Sequence, residues 1–213
     1  MTGWKLLSST ANPPTVTMSY KSELEFFFHP LAFMAANSNA TQAAGSSLSL
    51  RYTGEASAVP TGERFFLQLL RAQLQMLSHG SVPVNAVLSL ISTTWDMAQG
   101  VAEACRSMSI ERPTKALIFS DERLQIVTSI FMAETQSKVA ATINLHAVVR
   151  SDREIDFVVG SDVEIVYGSA ANHDTARKQF SESTATGPSG WQAAIMQLED
   201  TLRTTSKKAK ATK

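Results

Sequence analysis

The apolar positions of this chain change period three times along its length, and that order restricts the fold more than any single motif. From Thr15 the period is two: Val16, Met18 and Tyr20 alternate with Thr15, Thr17 and Ser19, and Leu24, Phe26 and Phe28 continue against Glu23 and Glu25. A strand with one buried face requires this alternation, because successive side chains point to opposite faces of a sheet. The run ends at His29-Pro30, since proline cannot donate to a ladder. Residues 35–47 lack large apolar side chains and read as a solvated loop, and Leu48, Leu50 and Tyr52 supply a third short strand.

Beyond the turn-like Gly54 to Gly62 the period becomes helical. The run to Leu77 carries two neighbouring apolar stripes, Phe66, Leu70, Leu74 and Leu77 beside Phe65, Leu69, Ala72 and Met76. One stripe suffices to close a sheet, so the second, through Leu69, Ala72 and Met76, is expected to pack against the other half of the chain. Ser78-His79-Gly80 offers a helix stop in which glycine takes the left-handed cap. A second helix starts at Ser81-Val82-Pro83, with proline in or near the first turn. Its stripe runs through Val84, Val87, Leu88, Ile91, Trp95, Ala98, Ala102 and Cys105, and Pro113 marks its exit. Gly100 inside this helix implies a close contact or a bend, because glycine there costs about 1 kcal/mol relative to alanine.

Period two then returns. Leu124, Ile126, Ile130 and Met132 alternate with Arg123, Gln125 and Ser129, and Val139, Ala141, Ile143 and Leu145 with Lys138, Thr142, Asn144 and His146. Ile155 to Val159 and Val163 to Tyr167, joined by Gly160-Ser161, complete a meander. Residues 168–187 read as a polar loop that ends at a candidate capping box, Ser189-Gly-Trp-Gln192. Trp191, Ile195, Leu198 and Leu202 form the stripe of a closing helix, and the lysine-rich tail 207–213 is expected to be disordered. The order is strands, helix, then helix, strands, helix. It predicts an α+β chain in which one plan occurs twice: residues 1–80 without a leading helix, residues 81–206, and the basic tail 207–213.

The chemistry available is sparse. Lysine plus arginine equal aspartate plus glutamate at 19 each, so no net field steers the chain onto nucleic acid or an anionic membrane, and neither is expected as a direct partner. The single cysteine, Cys105, excludes an internal disulfide; it lies on a core stripe, where a thiol is inert rather than nucleophilic. His29, His79, His146 and His173 show no metal-ligand spacing. There is no nucleophile elbow, phosphate-binding loop or dinucleotide fingerprint, so neither an enzyme nor a cofactor is expected. Without a secretory signal or an apolar run long enough to span a bilayer, a soluble cytosolic or nuclear protein is expected.

Four stretches carry a family resemblance: Val16-Thr-Met-Ser-Tyr-Lys-Ser-Glu-Leu-Glu-Phe26, Arg64-Phe-Phe-Leu-Gln-Leu-Leu-Arg-Ala-Gln-Leu74, Leu88-Ser-Leu-Ile-Ser-Thr-Thr-Trp-Asp96 and Ser120-Asp-Glu-Arg-Leu-Gln-Ile126. From about Trp4 to about Leu202 the chain resembles the C-terminal tandem RWD region of the fungal kinetochore scaffold of the KMN network, the blinkin family. The resemblance implies two RWD-like units, each an antiparallel four-stranded meander packed on helices, the first lacking its leading helix. It also implies a nuclear, kinetochore-bound docking module that binds the C-terminal tail of a subunit of the MIND complex. An upstream coiled coil and a coiled-coil partner would belong to the intact scaffold. The matching motifs are core positions and transfer no contact residues. The outward strand face of the second half is the site expected from the residues themselves: Arg123, Gln125, Lys138, Asn144 and His146 beside Val127 and Phe131, a composition suited to a peptide with apolar anchors and acidic residues. Two rivals remain: an RWD interaction module of another complex, and a ubiquitin-conjugating enzyme on the sister fold, which would place its cysteine beyond the sheet.

Overall fold

The computed structural model describes residues 3–30, 48–54, 59–77, 82–151, 154–169 and 172–211, with backbone alone for 151 and 204–211. The order of elements is β1 (Trp4–Ala11), β2 (Pro14–Tyr20), β3 (Leu24–Phe28), β4 (Leu48–Tyr52), α1 (Thr61–Leu77), α2 (Val84–Glu111), β5 (Thr114–Ser120), β6 (Arg123–Met132), β7 (Ser137–Ser151), β8 (Glu154–Tyr167), α3 (His173–Thr184) and α4 (Pro188–Ala211). The strands form two four-stranded sheets, β1-β2-β3-β4 and β5-β6-β7-β8, so the fold is α+β. The chain divides into two compact units, one holding Met1–Asp96 with Val149–Asp156, the other Met97–Val148 with Phe157–Lys213.

In the first unit the period-two residues pair in register. Tyr20 lies opposite Leu24, Met18 opposite Phe26 and Val16 opposite Phe28, and β4 continues the rows with Tyr52, Leu50 and Leu48. Phe26 is fully buried and stacks on Phe28 with ring centroids 5.2 Å apart. Helix α1 buries Phe65, Phe66, Leu69, Leu70, Leu74 and Leu77, and Arg71 Nε donates to the Leu50 carbonyl at 3.3 Å. The β2–β3 turn puts Lys21 and Ser22 at positive φ, a conformation that costs most non-glycine residues energy. Several bonds hold it: Thr53 Oγ1 donates to the Ser22 carbonyl, Trp95 Nε1 to Glu23 Oε2 at 2.8 Å, and Tyr20 Oη and Lys21 Nζ both reach Asp96 Oδ1. The middle of α2, at Trp95 and Asp96, is thereby keyed to the turn.

In the second unit the inner face of β6 and β7 is built from Leu124, Ile126, Ile130, Met132, Val139, Ala141, Ile143 and Leu145, all buried. Helix α4 closes it with Trp191, Ala194, Ile195, Leu198 and Leu202, and Trp191 Nε1 donates to the Thr184 carbonyl at 3.1 Å. Arg112, just past α2, holds Glu199 of α4 through Nε and Nη2, at 2.9 and 2.5 Å. Burial opposes the Arg112 charge, but the bonds and charges of Glu199 and Glu111 outweigh it and raise its pKa.

Several sequence expectations need correction. Trp4–Ala11 and Thr114–Ser120 are strands that the sequence reading missed. Residues 154–167 are one strand rather than two, because Gly160 sits mid-ladder with open space where a Cβ would stand and turns nothing. The supposed polar loop contains α3, which buries only Ala176, Phe180 and Thr184, too few apolar groups to leave a helical signature. Ser189 lies inside the first turn of α4 rather than capping it; the start signal is Pro188 at the first helical position. Helix α4 runs to Ala211, through most of the tail expected to be disordered. The α2 stripe also shifts: Val101, Ala104 and Met108 are buried where Ala102 and Cys105 were expected, and the latter two are half-buried. The expected loop 35–47 and the stop at Ser78-His79-Gly80 lie outside the described residues.

Candidate functional site: the outer face of the second sheet

Strands β6 and β7 pair so that Arg123 lies opposite His146, Gln125 opposite Asn144, Val127 opposite Thr142 and Phe131 opposite Lys138. These residues alternate with the buried Leu124, Ile126, Ile130, Val139, Ile143 and Leu145. All seven residues picked from the sequence as a binding face therefore share one surface of the sheet, opposite the helices that fill its core. Gln125 Nε2 donates to Asn144 Oδ1 at 3.1 Å across the two strands, and His146 Nε2 lies 3.6 Å from Glu122 Oε2. Phe131 is 62% exposed, which few large aromatics are, and its ring meets that of Tyr167 edge-on at 5.9 Å.

Strand β5 enlarges this face. Lys115 pairs with Val127 and Leu117 with Gln125, extending the same rows, and Phe119 is 74% exposed at the bulge that follows Ile118. Sequence reasoning missed all three because Ala116-Leu-Ile-Phe119 is a continuous apolar run directly after a helix exit, without clean alternation. The signal was present in Thr114-Lys-Ala-Leu-Ile-Phe-Ser120, a short β-branched and aromatic stretch between Pro113 and Asp121.

The charges divide across the sheet: strands β5 and β6 and residues 137–148 of β7 contain no aspartate or glutamate, whereas β8 carries Glu154, Asp156, Asp162 and Glu164, and Glu122 stands beside His146. Lys115, Arg123 and Lys138 project from this surface, and among the described residues none of them has an ion-pair partner. The surface thus combines three cations with exposed Leu117, Phe119 and Phe131, enough to hold an extended acidic segment with apolar side chains.

The other residues singled out from the sequence lie elsewhere. On α1, Leu69 is buried, whereas Ala72 is exposed and Met76 is 60% exposed. Cys105 is half-buried on α2, and burial pushes its thiol up to about 11. His29 and His173 each contact a strand carbonyl, those of Pro14 and Val163, at 2.9 and 2.8 Å. Among the described residues no three His, Cys, Asp or Glu side chains converge as a metal site would need. Among them, too, no helix is long and apolar enough to cross a membrane. The chain matches no protein-family model, and no curated protein matches it.

Proposed function

We propose that this chain is a non-enzymatic docking module of the RWD type, which ties a kinetochore scaffold in the nucleus to the MIND complex through the outer face of its second sheet. The resemblance of Val16–Phe26, Arg64–Leu74, Leu88–Asp96 and Ser120–Ile126 to the scaffold family supports the setting. Two four-stranded antiparallel sheets, each followed by helices, are compatible with tandem RWD units. The observation that carries the docking role is the outer face formed by Arg123, Gln125, Val127, Phe131, Lys138, Asn144 and His146, on which Phe131 is exposed and Arg123 and Lys138 have no ion-pair partner among the described residues. Such a face recognises a segment by charge complementarity and anchors it through the exposed rings.

Co-migration of the chain with purified MIND complex on a sizing column tests the reading. Binding at micromolar concentration is expected, with loss on combining Arg123→Glu with Phe131→Ala; failure of the unmodified chain to bind sinks the adaptor role. For the rival ubiquitin-transfer reading, the Cys105 thiol is a poor candidate, because a pKa of about 11 leaves almost no thiolate near neutrality. A Cys105-dependent thioester formed with activating enzyme, ubiquitin and ATP would nevertheless overturn the docking assignment.

A further inference from the structure

We propose that β5 receives an extended acidic segment of another protein as a fifth strand of the second sheet, paired along the edge of β5 that faces away from β6. This rests on the reading of the outer face as a docking surface and specifies how the partner is held.

The backbone geometry defines the acceptor edge. Ser129 N–H donates to the Pro113 carbonyl at 2.9 Å, which makes Pro113 and Ser129 a hydrogen-bonded pair. In an antiparallel ladder bonded and non-bonded pairs alternate, so Lys115 and Leu117 also turn their backbone groups toward β6. Thr114, Ala116 and Ile118 then direct their N–H and C=O groups to the outer edge, where no described strand pairs with them. A row of unpaired backbone groups is a template for another strand.

The two edges of this sheet are treated differently. Along β8, helix α3 supplies His173 Nε2 to the Val163 carbonyl at 2.8 Å, Arg177 to Asp162 at 2.7 Å and Thr184 Oγ1 to the Ser161 hydroxyl at 2.9 Å. That edge is therefore occupied by α3 at residues 161–163. Along β5, among the described residues, the devices that limit pairing are Pro113, Lys115 and the bulge after Ile118, which bound a pairing stretch at residues 114–118 without blocking it.

Charge selects the occupant. A strand laid on this edge has outward side chains that continue the rows of Lys115 and Leu117, so it fits best with an acidic residue beside Lys115 and an apolar one beside Leu117. Arg123 extends the positive field. A second copy of this chain, pairing β5 with β5, would bring two sets of Lys115 and Arg123 onto one sheet face, and like charges across a strand pair are destabilising.

The test uses the full chain, MIND complex as the probe, and two single variants. Ala116→Pro removes an outward N–H while sparing the β5–β6 ladder, since proline is tolerated on an edge strand with its nitrogen toward solvent. Arg123→Glu reverses a charge on the face without touching the edge. Unchanged far-UV circular dichroism and melting temperature establish that both variants fold. Supporting results are a loss of about tenfold or more in affinity with each variant, and slowed amide exchange at Thr114, Ala116 and Ile118 on binding. Binding lost with Arg123→Glu but retained with Ala116→Pro overturns strand addition and leaves the docking face standing. Binding indifferent to both variants overturns the face as well. An unmodified chain that does not bind MIND removes the premise, and the proposal falls with it. A concentration-dependent dimer abolished by Ala116→Pro would assign the edge to a second copy and overturn the proposal.

Discussion

Glutamine in place of Glu199 should destabilise the second unit by about 2–3 kcal/mol, although the change alters a single atom. Arg112 and Glu199 side chains are only 15% and 13% exposed, so their charges are held largely away from water. Two guanidinium N–H groups converge on one carboxylate oxygen, and the other oxygen accepts from Arg203. Breaking one partner of such a pair typically costs about 3–5 kcal/mol, because the remaining charge stays desolvated. Two features reduce the figure here. The glutamine keeps one acceptor oxygen, and Arg112 Nη1 retains Glu111 at 2.7 Å, a carboxylate about half exposed and therefore a screened partner. Glu199→Ala removes both acceptors and should reach about 3–4 kcal/mol, whereas the double change Arg112→Met with Glu199→Leu should cost less than Glu199→Ala alone, since no unpaired buried charge remains. Urea is the denaturant to use, because guanidinium chloride would screen the interaction, and tryptophan fluorescence, to which buried Trp191 contributes, follows the transition. A loss below about 1 kcal/mol for Glu199→Gln, or strictly additive single changes, would refute the assignment of this pair as a buried, mutually dependent unit.

Three further outcomes follow from individual contacts. Burial, then the hydrogen bond and negative charge of Asp96, raise the Tyr20 hydroxyl to about 12; since the folded state favours the neutral form, its contribution is complete below pH 10 and disappears as pH rises toward 12. Alkaline titration of the unfolding midpoint should show that loss, and Tyr20→Phe should flatten it. Gly100→Ala should stabilise by about 1 kcal/mol, since the new Cβ meets Pro188 at an ordinary 3.6 Å, while Gly168→Ala should destabilise by 2 kcal/mol or more, roughly, because φ is +84° and Ser137 Cα stands at 2.8 Å; thermal melts of the two variants should move in opposite directions. Leu69→Asp, which buries a charge on α1, should cost about 4 kcal/mol or more, and Met76→Asp less than about 0.5 kcal/mol, in the same denaturation assay; equal effects would mean that the burial of α1 is misassigned.

How far the fold could be read ahead depended on how strongly each segment had to segregate its faces. β2, β3, β4, β6 and most of β7 were legible because each buries one face and exposes the other, which forces alternation. β1 was not, since it is exposed along almost its whole length and its sequence carries no amphipathic demand. β5 was hidden for the opposite reason, with large apolar groups on its exposed face as well as its inner one. The candidate face was half legible: seven of its residues followed from the period of β6 and β7, but Lys115, Leu117 and Phe119 joined them only through a strand pairing that no local pattern encodes.

The sequence by itself determined the α+β class, the segregation of strands and helices into two runs, and which side of β6 and β7 is buried, because hydrophobic periodicity is a local property that burial imposes on each element. Only the tertiary structure decided that β5 borders the second sheet, that α3 contacts the far strand at residues 161–163, and that Lys115, Arg123 and Lys138 share a surface with no ion-pair partner among the described residues. Those facts arise from register and from contacts between residues distant in the chain, and such contacts leave no period behind.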